Sequence, residues 1–146
     1  MIVLGVFLMS ITSLWIAEKI IQPNQVRIAL LPITTKINNQ KELASHIEGT
    51  LQAEVIKSEK LKLLSSSVIK GNLEKPYPYL SREYGSQWII EGQITNYQNN
   101  VKLTLSLVDA RTALVVYSVS CHTDEKGTQI LKLCQQFIQK IPGFNN

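Results

Sequence analysis

Through the middle of the chain, apolar and polar residues alternate with period two, and three strands follow from that pattern. Val101, Leu103, Leu105 and Leu107 are spaced by Lys102, Thr104 and Ser106, as in a strand with one wet face. Before it, Gln87 to Tyr97 is rich in aromatic and β-branched residues and runs into Asn99-Asn100, a tight-turn signal. After it, Asp109-Ala110-Arg111-Thr112 makes a turn and Leu114 to Cys121 a third strand. Strands joined by such short turns pair antiparallel, as a meander. Upstream, Val26 to Leu31 is apolar on both faces except at Arg27 and stops at Pro32, which predicts a central strand. Leu43, Ile47, Leu51 and Val55 recur every four residues and predict a helix capped by Asn39 and Glu42. Leu61 to Leu64 reads as a short strand, with Ser65-Ser66-Ser67 suited to a turn and N-cap. A short helix pattern then ends at Gly85, because glycine enters the left-handed region cheaply after a helix.

The last apolar stripe, Ile130, Cys134, Phe137 and Ile141 with Leu131 and Ile138 beside it, predicts a closing helix. Asp124-Glu125 favour its start and Pro142-Gly143 its end. The predicted order is β-α-β-α-β-β-β-α over residues 26–142, an α/β (α+β) two-layer sandwich with helices on the apolar sheet face.

Residues 1–17 carry no charge, and with Ile20-Ile21 the run reaches the length of a bilayer crossing. A transmembrane anchor over 1–21 is therefore expected, with Trp15 at an interface and 22–25 as a linker that Pro23 keeps extended. A cleaved signal peptide fits less well: the start has no Lys or Arg, and Trp15 fills the slot two before Ala17. No cysteine lies near the end of the run for lipid attachment. The nearby basic residues (Lys19, Arg27, Lys36, Lys41) all follow the anchor, which by the positive-inside rule keeps the domain cytoplasmic. That orientation reverses if a basic domain precedes Met1.

With 146 residues there is room for one domain beside the anchor. The net charge of +4 is scattered, with no basic stripe interleaved with aromatics, so direct nucleic-acid contact is disfavoured. The turn Ile33-Thr34-Thr35-Lys36 has no glycine, which disfavours a phosphate-binding loop. Cys121 and Cys134 form no Cys-x-x-Cys. Cys134 falls roughly 15 Å along the closing helix, beyond the about 7 Å that a disulfide spans between Cα atoms, so two apolar thiols are expected. His46 lies off the apolar stripe, His122 has no acidic partner at a telling interval, and Glu91 beside Gly92 is a single carboxylate. No nucleophile elbow or metal-ligand spacing is present, so no catalytic, cofactor or metal residue is assigned and no enzyme is expected. Glu74 to Tyr79, with two prolines, reads as a stiff loop. Tyr77 and Tyr79, with Arg82 just beyond, are the candidate partner-binding residues; one tyrosine packing as a lid on the core is the plainer alternative.

Several stretches together resemble the TolB-like α/β domain: Ile28-Ala29-Leu30-Leu31-Pro32, Leu61 to Ser67, Leu80 to Ile94, Val101 to Ala110, and Val116-Tyr117-Ser118. The chain departs from that pattern at Thr112-Ala113, where a turn glycine is common. Such domains occur in the TolB amino-terminal region, in envelope lipoproteins, and behind the winged helix of CadC-like and ToxR-like regulators. The resemblance implies a non-catalytic role with an envelope or regulatory protein partner, and leaves a homodimer open. It also implies an inner-membrane, single-pass protein whose globular part is periplasmic: the sensory part of a winged-helix one-component regulator or, alternatively, a stand-alone envelope assembly factor.

Overall fold

The computed structural model describes residues 25–97, 100–123 and 128–145. The expected anchor, most of the linker and the acidic Asp124-Glu125 start of the closing helix lie outside them. No helix among the described residues is long and apolar enough to cross a membrane.

The elements are β1 (Val26–Leu30), β2 (Thr34–Thr35), α1 (Lys41–Lys57), β3 (Leu61–Leu63), α2 (Ser66–Gly71), α3 (Tyr77–Tyr84), β4 (Trp88–Tyr97), β5 (Asn100–Asp109), β6 (Val115–Thr123) and α4 (Thr128–Gln139). They build one mixed sheet in the order β3-β1-β4-β5-β6. β1 lies parallel to both β3 and β4, while β4, β5 and β6 form the antiparallel meander expected from their short connections. The centrality of β1 follows from its composition: Ile28 and Ala29 are fully buried, one in the core on each face.

Helices α1 and α4 cover one face. Their stripes (Ala44, Ile47, Leu51, Val55 and Ile130, Cys134, Phe137, Ile138) close over Ile90, Ile94, Leu103, Leu105 and Leu107. Each large side chain so buried contributes roughly 1.5–3 kcal/mol. Leu133 takes the inward place beside the stripe, whereas Leu131 faces out.

The expected two-layer arrangement is corrected on the second face. There α2 and α3 pack Ile69 and Leu80 on Ala29, Ile89, Val108 and Ala110, so part of the sheet is covered on both sides. The period-two pattern of β5 hid this, because its wet positions (Lys102, Thr104, Ser106) lie beyond the reach of these short helices.

Other local corrections have simple causes. Tyr77–Tyr84 is a helix from Tyr77 on, not a stiff loop followed by a helix: Pro76 stands at its N-cap, and Pro78 lies in the first turn, where an amide hydrogen has no partner to lose. No side chain of Asn39 or Glu42 caps α1; a short 3₁₀ turn, Asn38–Gln40, leads into it. Ser65 does cap α2, its hydroxyl accepting from the Val68 N–H at 3.4 Å. Gly85 closes α3 at φ 69°, its N–H donating to the Ser81 carbonyl at 2.9 Å. Ala113 takes φ 59° in the β5–β6 turn, the position where a glycine is common in the domains this chain resembles.

Candidate functional site

The segment after β1 departs most from the expected turn. The chain does not leave the sheet at Pro32; it returns to β4 as β2, with Leu30 opposite Ile90 and Thr34 opposite Gln93. Four steps on one strand (30 to 34) therefore face three on the other (90 to 93), and the extra residue bulges outward. Pro32 has no amide hydrogen to lose there. The Ile33 N–H, taken out of the ladder, donates instead to Glu48 Oε1 of α1 at 2.7 Å. The Ile33 side chain turns inward over Gly92, where a Cβ would overlap Ile33 Cδ1 and press on Leu105 Cδ2 at 3.2 Å. Thus Gly92 is required by the close approach of the bulge, and Glu48 of α1 holds that bulge in place.

On the opposite face the bulge walls an open groove of about 330 Å³, lined by Pro32, Thr34, Tyr77, Glu91, Gln93 and Ser106 among others. The groove merges with the open half of the sheet, where the register aligns Glu91-Ser106-Ser118 and Gln93-Thr104-Ser120 across three strands. Hydroxyl pairs Thr104–Ser120 at 2.9 Å and Ser106–Ser118 at 3.0 Å satisfy one another along it. Partial burial raises the Glu91 carboxyl above its ordinary value. It is the one carboxylate of the lining, which contains no histidine or cysteine. The arrangement offers hydrogen bonds and shape, without an acid and base set around a reacting atom.

The three predicted partner-binding residues do not form one site. Tyr77 packs against the second core and lines the groove, as the lid alternative held. Tyr79 and Arg82 lie on another side of α3, with the Lys75 ammonium 5.3 Å and the Arg82 guanidinium 5.9 Å from the Tyr79 ring. Tyr84 meets that ring edge-on at 6.4 Å and is itself fixed by the Asn72 amide, which donates to its hydroxyl at 3.2 Å. Lys75, Tyr79 and Arg82, the last also paired with Glu83 at 3.5 Å, thus make an aromatic, charged patch whose ring is held in place.

Both cysteines are free. Cys134 is buried and Cys121 packs against the same core, and burial together with the nearby Cys121 pushes the Cys134 thiol up to about 12. Cys134 lies on α4, which packs against β6, the strand that carries Cys121. His46 is exposed on α1, its carbonyl accepting from Thr50. Among the described residues no group of three His, Cys, Asp or Glu is placed to hold a metal.

A mixed sheet with paired helices on one face, short helices on part of the other and an antiparallel meander at the edge is the fold seen in TolB and in LpoB-type lipoprotein domains. Solved structures carry the same fold. TolB from Acinetobacter baumannii aligns over 83% of this chain and 29% of its own length, at 12% identity and a TM-score of 0.58. The LpoB C-terminal domain from Escherichia coli aligns over 68% of this chain and 83% of its own, at 14% identity and a TM-score of 0.57. A lipoprotein from Neisseria meningitidis aligns over 82% of this chain and 99% of its own, at 13% identity and a TM-score of 0.54. No family model and no curated protein matches the sequence.

Proposed function

We propose that the chain is a non-catalytic interaction module of the bacterial envelope, held at the inner membrane by residues 1–21 with its globular part in the periplasm. It works there as an accessory or assembly factor for a protein partner. The observation that carries this reading is the Lys75–Tyr79–Arg82 patch: a tyrosine ring held near two cations on an exposed helix, the residue types that dominate binding energy at interfaces. Arg82 also pairs with Glu83 at 3.5 Å, so the patch offers a partner a mixed aromatic and charged surface rather than a purely cationic one. The likeness to a lipoprotein and to the LpoB C-terminal domain supports an envelope role, and favours the stand-alone factor over the sensory part of a winged-helix regulator. An in-frame winged helix encoded upstream of Met1 would reverse that preference.

The test is capture from crosslinked envelopes with the full-length chain. Tyr79→Ala with Arg82→Ala should lose the dominant partner, weakening it by about tenfold or more, since a pair of interface anchors typically exceeds 2 kcal/mol. Undiminished capture rejects the patch. A reporter active only outside the cytoplasm, fused at Asn146, should be active; silence rejects the periplasmic placement.

A further inference from the structure

The chain joins the sheet at Val26, and the backbone hydrogen bonds around that point define one end of the domain. The Val26 N–H donates to the Lys60 carbonyl, Gln87 to Arg27, Ala110 to Gln87 and Asp109 to Leu114, at 2.8, 2.9, 3.1 and 2.9 Å. All five strands are therefore level here, and the start of β6 lies three strand spacings, about 14 Å, from Val26. At that start Leu114, Val115 and Val116 are 65%, 57% and 52% exposed. Ile56, 74% exposed in the last turn of α1, lies at the same end, because α1 leads directly into β3. Four of the six large apolar residues exposed among the described ones are thus gathered where the chain enters. The tail beyond α4 comes down to the same place, with Gly143 against the Val26 side chain.

We propose that this end is a membrane-contact surface, in which Leu114, Val115 and Val116 enter the interfacial layer of the bilayer that holds residues 1–21. The contact rests on the anchor reading of those residues, and is independent of which side of the membrane the domain occupies. Chain length names the occupant. Only residues 22–25 stand between the anchor and Val26, and fully extended they reach about 14 Å. The headgroup layer alone is about 5–7 Å deep, so the short link keeps this end of the domain against lipid. A protein partner would have to enter that gap, whereas lipid already fills it. Charge agrees. Arg27, Lys60, Arg111 and Lys140 are exposed around the apolar tip. The acids beside them are Glu59 and Asp109, of which Asp109 pairs with Arg111 at 3.7 Å, while Lys57–Glu54 and Arg82–Glu83 are neutral pairs. Apolar side chains ringed by a surplus of cations suit the interface of an anionic bilayer.

The test uses the full-length chain reconstituted into vesicles of phosphatidylethanolamine and phosphatidylglycerol, with a photo-crosslinking residue in place of Val115. The control carries it in place of Asn96, exposed at the far end of β4. Irradiation should give lipid adducts, read by mass, at Val115 and about tenfold fewer or less at Asn96. Val115→Glu with Val116→Glu should cut the adducts of a probe in place of Leu114 about tenfold or more, with the unfolding midpoint unmoved. Should the glutamates lower that midpoint, the Val115 and Asn96 yields decide. A chain that floats with the vesicles but gives no lipid adduct at Val115, or equal yields at Val115 and Asn96, overturns the proposal and leaves the anchor standing. So do glutamates without effect, or a Val115 probe that captures another protein in place of lipid in native envelopes. A chain that fails to float overturns the anchor reading, and the contact with it.

Discussion

The two faces of the sheet obey different rules. On the face under α1 and α4, buried apolar side chains fill the space continuously from Ile33 across to Phe137, and even a backbone position is committed, since Gly92 leaves no room for a methyl group. On the other face, α2 and α3 seal only a small cluster, and the rest is a hydroxyl-lined surface whose groups bond to one another or face solvent. The first face makes the fold stable, because apolar burial there is complete. The second carries less of that packing, confined to the small cluster under α2 and α3.

Truncations should measure that contrast. Phe137→Ala, which empties a fully buried ring site against Tyr117, should cost about 3–5 kcal/mol in denaturant unfolding. Ser106→Ala on the open face should stay within about 0.5 kcal/mol. Comparable losses at the two positions would erase the distinction.

A smaller effect tests the bulge. Gly92→Ala should cost about 1–3 kcal/mol through overlap with Ile33. In an Ile33→Ala background the added loss should shrink, because the two residues are coupled through one contact. Full additivity would mean that Ile33 does not lie over Gly92 in solution.

The smallest effect concerns Glu91. Its carboxyl is raised from 4.5 by partial burial, so the folded state holds the proton more tightly than the unfolded chain does. The stability this contributes is fully present below the ordinary value and is lost as pH rises through the folded one. Glu91→Gln should therefore flatten that fall and be at least as stable as wild type at neutral pH, in thermal melts taken across the window. A wild type whose stability climbs over the same pH range relative to the variant would show that Glu91 has found a partner.

Much of the first face was legible in the chain itself. The stripes of α1 and α4 and the alternation of β5 each state locally which side is dry, and short turns leave the meander no other pairing. Little of the second face could be read. Only β1, apolar on both faces at Ile28 and Ala29, signalled cover there; the Ile89 and Val108 side chains that α2 and α3 cover look, in one dimension, like ordinary strand residues. Tyr77, Tyr79 and Arg82 lie within six residues of sequence, yet helical geometry sends Tyr77 into the groove and leaves Tyr79 and Arg82 on the patch. One signal was available: Gly92 interrupts a β-branched strand, which points to a close backbone approach.

By itself, then, the sequence determined the strands of the meander, the central β1, the two long amphipathic helices and the glycine stop after α3, because each depends on periodicity or backbone freedom within a few residues. Only the tertiary structure decided that β2 returns to β4, that Glu48 holds the Ile33 amide and that β6 starts at the end of the sheet where the chain enters. Those features arise where residues distant in the chain meet across strands and layers, and the energy that selects them is contact energy, which no local pattern records.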